Sequence, residues 1–130
     1  MQALVDASVW IDYFTGEATP QTDLLDSLLG KAALTVADLT LAEVLYGIPD
    51  ERSRRLAADA LTKFWLVEVR GIDLAQKSAV NYHTLRVRGI EVTTTECEIA
   101  TFCLENGFSL LHSSPGYEPF ETYLGLKGVR

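Results

Sequence analysis

The chain has 130 residues, 48% of them hydrophobic, and a formal net charge of −7. A chain of that length buries roughly two thirds of its unfolded surface, so it needs no disulfide or metal to hold a core, and one domain over residues 1–130 is expected. No apolar run approaches the roughly 20 residues that cross a bilayer, and the opening Met1-Gln2-Ala3-Leu4-Val5-Asp6 lacks the basic start of a secretory signal. These features exclude a membrane protein and predict a cytoplasmic one. The overall field of so acidic a chain repels nucleic acid, so any docking of RNA or DNA rests on local basic residues.

The pattern along the chain alternates strands with helices. Residues 3–5 form a short apolar strand ending in Asp6, and Ser8 is placed to cap a helix that carries Val9, Trp10, Ile11 and Phe14. Residues 22–29 read as a short helix closed by Gly30, and residues 32–36 as a strand. A helix over 41–48 stops at Gly47 and Pro49. The next, over 51–64, places Leu56, Ala60, Leu61 and Phe64 at helical spacing. A strand over 66–69, a helix over 74–87 ended by Gly89, and a helix over 96–105 closed by Asn106-Gly107 follow. The chain ends with a strand at 108–111, a helical turn at 118–123 and an edge strand at 127–129. Strands separated by helices imply parallel βαβ units. Cys97 and Cys103, six apart in an apolar helix, face different sides of it and read as reduced core residues.

In a parallel sheet the ligand crevice lies beyond the carboxyl ends of the strands, and that rule selects residues. Asp6 ends the first strand, Glu43 lies early in the helix after the second, and Glu96 opens the helix before the last core strand. His112, Ser113 and Ser114 follow that strand. Carboxylates gathered in this way suit Mg²⁺ or Mn²⁺, hard cations that take oxygen ligands and keep several waters. Each residue also has a purely structural reading. Thr40-Leu41-Ala42-Glu43 and Thr93-Thr94-Thr95-Glu96 both match a helix capping box, and Asp6 fits a turn after a strand. Ser8 reads equally as an N-cap or as a hydrogen-bonding partner of the site. Asp12, His83 and the Arg52, Arg54, Arg55 group are expected on solvated helix faces, and His112 is expected packed and hydrogen-bonded. Arg86 and Arg88 are the candidates for phosphate contact, and Trp10 and Trp65 for core or interface anchors.

Three segments, in order, resemble a known family. Leu4-Val5-Asp6-Ala7-Ser8-Val9-Trp10-Ile11-Asp12-Tyr13-Phe14 looks like the first motif of PIN-domain ribonucleases, in particular the VapC-type toxins of bacterial toxin–antitoxin systems. Leu41-Ala42-Glu43-Val44-Leu45-Tyr46-Gly47-Ile48 resembles the second motif. Glu96-Cys97-Glu98-Ile99-Ala100-Thr101-Phe102-Cys103, followed by Gly107-Phe108-Ser109-Leu110-Leu111-His112-Ser113, resembles the third motif and last core strand. The resemblance implies a three-layer α/β/α sandwich around a small parallel sheet. It also implies Mg²⁺- or Mn²⁺-dependent cleavage of RNA, a VapB-like antitoxin as partner, and a homodimer. Carried onto this chain, it makes Asp6, Glu43 and Glu96 the catalytic set, with Asp6 and Glu96 on the metal.

The chain also departs from that pattern. Glu96 stands where the family begins its third motif with Asp, and Glu98 where it has an apolar residue. Ser114 and Gly116 stand where it carries acids, and Ala7 where it has Thr. The resemblance therefore implies a ribonuclease toxin with a partly degraded acidic site. The alternative is a catalytically weak PIN domain that serves as an antitoxin- or RNA-binding module. Glu98 is a possible replacement ligand if the third-motif helix begins near it. A receiver-like signalling domain does not fit, because the first strand ends in a single acid and no Lys lies near Ser113.

Overall fold

In a computed structural model describing residues 2–130, the sheet has four parallel strands: β1 (Gln2–Val5), β2 (Ala33–Ala37), β3 (Trp65–Val67) and β4 (Ser109–Leu111). Their spatial order is β3-β2-β1-β4. Seven α-helices connect and flank them: α1 (Ala7–Thr15), α2 (Pro20–Leu28), α3 (Asp38–Gly47), α4 (Glu51–Leu61), α5 (Ile72–Val87), α6 (Thr94–Asn106) and α7 (Glu118–Leu124). A 3-10 turn, Pro115–Tyr117, precedes α7. The expected edge strand at 127–129 shrinks to a single bridge, Leu110 to Gly128.

Two-residue periodicity decides how the layers form. On β1, Ala3 and Val5 face a core with Trp10, Leu25, Val36, Val44 and Leu61, contributed by α1 to α4 and β2. Leu4 faces the opposite core, with Leu85, Ile99, Cys103 and Phe120 from α5, α6 and α7. β4 repeats the split, with Leu110 on the second core and Leu111 on the first. All these side chains are buried, and each contributes about 1.5–3 kcal/mol of hydrophobic free energy if large and aliphatic. The result is the expected α/β/α sandwich. Both cysteines are free and buried, as expected.

Local chemistry sets the element ends. α2 begins two residues earlier than expected, because Thr19 and Thr22 form a reciprocal capping pair and Pro20 fills the first turn. α6 ends at Gly107, whose φ of 69° is the left-handed conformation that closes the helix. α1 and α3 approach so closely that a Cβ on Gly47 would lie 2.6 Å from Ile11 Cδ1. Among the described residues no helix is long and apolar enough to cross a membrane.

Two capping expectations fail. Ser8 is not the N-cap of α1. Asp6 is, accepting the Ser8 N–H at 3.1 Å and the Ser8 hydroxyl at 2.6 Å on Oδ2. The Thr40–Glu43 pair is not a capping box either. α3 starts directly out of β2 at Asp38, so Thr40 and Glu43 lie inside the helix and the Thr40 hydroxyl is buried without a partner. Arg54 also leaves the solvated face predicted for it. It donates to the Ile48 and Pro49 carbonyls at 3.0 Å and closes the end of α3.

Candidate active site

The strand order runs from β1 to β2 and β3 on one side, with β4 added in parallel on the other, so the direction in which strands are added reverses between β1 and β4. Loops that leave adjacent strands on opposite faces open a crevice at such a point. Asp6 leaves β1 there, and the 3-10 turn follows β4.

Asp6 is 6% exposed and fully engaged by neutral donors. Oδ2 takes both Ser8 bonds, and Oδ1 accepts the Tyr117 hydroxyl at 2.9 Å. Glu96 sits in the first turn of α6. Its Oε1 accepts the Thr93 N–H and hydroxyl, each at 3.0 Å, while the Thr93 hydroxyl accepts the Glu96 N–H at 3.1 Å. The capping box expected here is therefore real. The other Glu96 oxygen, Oε2, accepts the Ser114 hydroxyl at 3.2 Å, so one carboxylate links the start of α6 to the turn after β4. A Cβ on Gly116 would overlap this carboxylate.

Glu43 differs from both. It is half-buried, and its Oε1 is shielded from solvent with no hydrogen-bond partner. Burial, then the charge of Asp6, then that of Glu96 raise its pKa to about 6. The three acids thus share one electrostatic neighbourhood. Tyr117 lies in it too. Burial first, then the charge of Asp6 and its hydrogen bond, with smaller effects from Glu43 and Glu96, push the phenol far above its usual range and keep it a donor.

Other candidates fall outside this cluster. Glu98 pairs with Arg70 at 2.7 Å, because α6 begins at Thr94 and turns position 98 away from the acids. It lines a mostly apolar cleft of about 360 Å³ between α5 and α6, not the crevice. Arg86 pairs with Glu91 at 2.8 Å, and Arg88 lies 4.5 Å from the Tyr123 ring centroid. His112 is packed and hydrogen-bonded as expected, with Nε2 3.1 Å from Glu121 Oε1. Trp10 is a core anchor, whereas Trp65 is 76% exposed.

Tyr117 and Asp38 join these residues without having stood out in the sequence. Asp38 opens α3 and accepts the Val69 N–H at 3.0 Å, tying the chain after β3 to the same sheet edge. An acid right after a strand was available as a signal for Asp38, but nothing local marks Tyr117.

The donor set tests the fit of a divalent cation. It consists of carboxylate oxygens, the ligands that Mg²⁺ and Mn²⁺ prefer. Asp6 Oδ1 and Glu96 Oε2 each accept a single hydrogen bond and keep a lone pair, and Glu43 Oε1 is an orphaned buried acceptor. Among the described residues, no group of three or more His, Cys, Asp or Glu side chains is drawn tightly enough together to enclose one ion. Mg²⁺ needs only one or two protein carboxylates, with water and substrate completing the octahedron. The site fits on those terms. A polar cleft of about 610 Å³ opens beside it, lined by Gln21, Ser113, Ser114, Glu118 and Arg130 among others.

Comparison with known proteins bears on this geometry. A sequence model of the PIN domain matches residues 3–114, most of the chain. The chain belongs to the PIN domain family. Solved structures of low identity share its fold over nearly their whole length. VapBC2 from Rickettsia felis, solved bound to a DNA fragment from its promoter, superposes with a TM-score of 0.80 at 13% identity, covering 99% of this chain and 98% of that one. FitAcB from Neisseria gonorrhoeae gives 0.76 at 15%, covering 100% and 97%. VapC20 from Mycobacterium tuberculosis, described as a sarcin-ricin loop cleaving toxin, gives 0.74 at 15%, covering 98% of each chain. The PIN fold therefore accounts for the crevice between β1 and β4 and for the approach of segments distant in sequence.

Proposed function

We propose that this PIN domain is a Mg²⁺- or Mn²⁺-dependent endoribonuclease, the toxin of a VapBC-type pair, held in check in the cytoplasm by a VapB-like antitoxin and acting as a homodimer. The observation that carries this reading is Glu43, whose Oε1 is unpaired and whose pKa is raised to about 6 by burial and by the charges of Asp6 and Glu96. A solvated acid with no function in the site would keep neither feature.

Asp6 and Glu96 would hold the cation through the lone pairs that their hydrogen bonds leave free. Once bound, a divalent cation activates water and neutralises charge on a scissile phosphate. Asp6 cannot swing away, because Ser8 and Tyr117 each hold one of its oxygens. Glu43 takes the proton from the attacking water. A carboxylate whose pKa lies near the working pH suits that role. The polar cleft at Ser113 and Ser114 receives the RNA strand, and Arg130 at its rim, paired with Glu121 at 2.9 Å in the free chain, would exchange that partner for a phosphate.

One observation favours the second reading, a weak PIN domain that binds an antitoxin or RNA. Both oxygens of Asp6 and of Glu96 are already hydrogen-bonded within the protein, and Ser114 offers a hydroxyl where the family carries an acid. An assay on mixed RNA with Mg²⁺, Mn²⁺ or EDTA separates the two. The ribonuclease reading predicts cleavage that EDTA abolishes and that Asp6→Asn reduces at least about 10²-fold, as misplacement of the reacting water does. RNA binding with no metal-dependent cleavage would instead establish the binding module.

A further inference from the structure

The Tyr117 hydroxyl reaches Asp6 across 111 residues of sequence. The phenol is itself firmly held. It is 2% exposed, and its ring centroid lies 5.0 Å from that of His112 and 6.4 Å from that of Phe120. Its backbone N–H donates to the Ser114 carbonyl at 3.3 Å. The Ser114 hydroxyl accepts the Gly116 N–H at 3.2 Å and donates to Glu96 Oε2 at 3.2 Å, and Glu96 is held in turn by Thr93. A continuous chain of contacts thus runs from the first turn of α6 to the carboxylate after β1.

We propose that Tyr117 is a positioning residue for the cation site, fixing Asp6 in a single rotamer at a set distance from Glu96. An aspartate with no partner on Oδ1 samples several orientations about its terminal torsion, and a ligand that must be ordered on binding loses affinity. Ser8 alone holds only Oδ2 and leaves the carboxylate free to pivot about that oxygen. The Tyr117 bond removes the pivot. Partners behind a metal ligand typically account for 10–100-fold in affinity or activity.

This inference rests on the proposed cation site. Its test is the Mn²⁺ affinity of Tyr117→Phe, which keeps the ring and deletes the hydroxyl, measured by calorimetry on the full chain. Melting in EDTA serves as the control for folding. The expected result is Mn²⁺ binding weaker by about 10-fold or more. RNA cleavage should fall in kcat with KM little changed, since the polar cleft is untouched. If Tyr117→Phe does not fold, Ser114→Ala carries the test. It frees the turn without altering the core, and Mn²⁺ binding should weaken several-fold. A folded variant that binds Mn²⁺ as tightly as the wild type overturns the inference and leaves the ribonuclease reading standing. A wild-type chain that binds no Mn²⁺ overturns both.

Discussion

At Glu43, burial acts first and the charges of Asp6 and Glu96 add to it, so the folded chain holds this proton up to a pKa of about 6 rather than 4.5. A carboxyl group whose pKa is raised on folding favours the native state when protonated. Its contribution is complete below about pH 4.5, is lost as the pH rises towards 6, and stays absent above that. In metal-free buffer, Glu43→Gln should therefore raise the melting temperature at pH 7.5, and the gain should vanish near pH 4.5. A gain of equal size at both pH values would show that the charge is not the cause. A strand-end Asp and two helix-borne glutamates in motif order were legible in the sequence as candidates for one sheet edge, and in the fold Asp6 and Glu96 both act on the pKa of Glu43. Thr40-x-x-Glu43 misled because the three-residue spacing of a capping box is also the spacing of one helical turn, so a pattern cannot tell a helix start from a helix interior. Tyr117 was not legible at all. It is one of five tyrosines, and only the fold brings it to Asp6.

At the scale of elements, the first turn of α6 and the 3-10 turn after β4 form one packing unit. The longer side chain of Glu96 reaches into the room that a side chain at position 116 would take. Glu96, Ser114 and Gly116, which look like three separate departures from the family pattern, are thus fitted to one another. Gly116→Ala should push the Glu96 carboxylate off Thr93 and cost about 0.5–2 kcal/mol, the range for a lost helix cap. Adding Glu96→Asp shortens the side chain and should recover part of that loss. Denaturant melts of the four proteins in this double-mutant cycle measure the coupling, and strictly additive effects would contradict it. α4, with its strong apolar period, and α5, ended by Gly89, were placed from sequence to within a few residues. The start of α3 was missed because it leaves β2 with no connecting loop and no side-chain cap.

For the whole molecule, the order β3-β2-β1-β4 creates the crevice, and the outer faces decide what the domain meets. Ile72, Val80 and Val87, all more than 60% exposed, share one face of α5. Such a stripe is costly in water, and it suits the contact of two identical copies around a two-fold axis. Light scattering coupled to gel filtration should find a dimer, with Val80→Lys and Val87→Glu together giving a monomer that keeps its Mn²⁺ affinity. A monomeric wild type would move the self-association surface elsewhere or remove it. On the proposed function, Asp6 and Glu96 hold a divalent cation at the switch point between β1 and β4. A crystal grown with Mn²⁺ and measured at the manganese absorption edge tests it directly. The account predicts an anomalous peak at coordination distance, about 2.1 Å for ions of this kind, from oxygens of Asp6 and Glu96, with Glu43 facing it. A well-ordered crystal with no peak in that crevice, or with its strongest peak at the Arg70–Glu98 pair between α5 and α6, would contradict it.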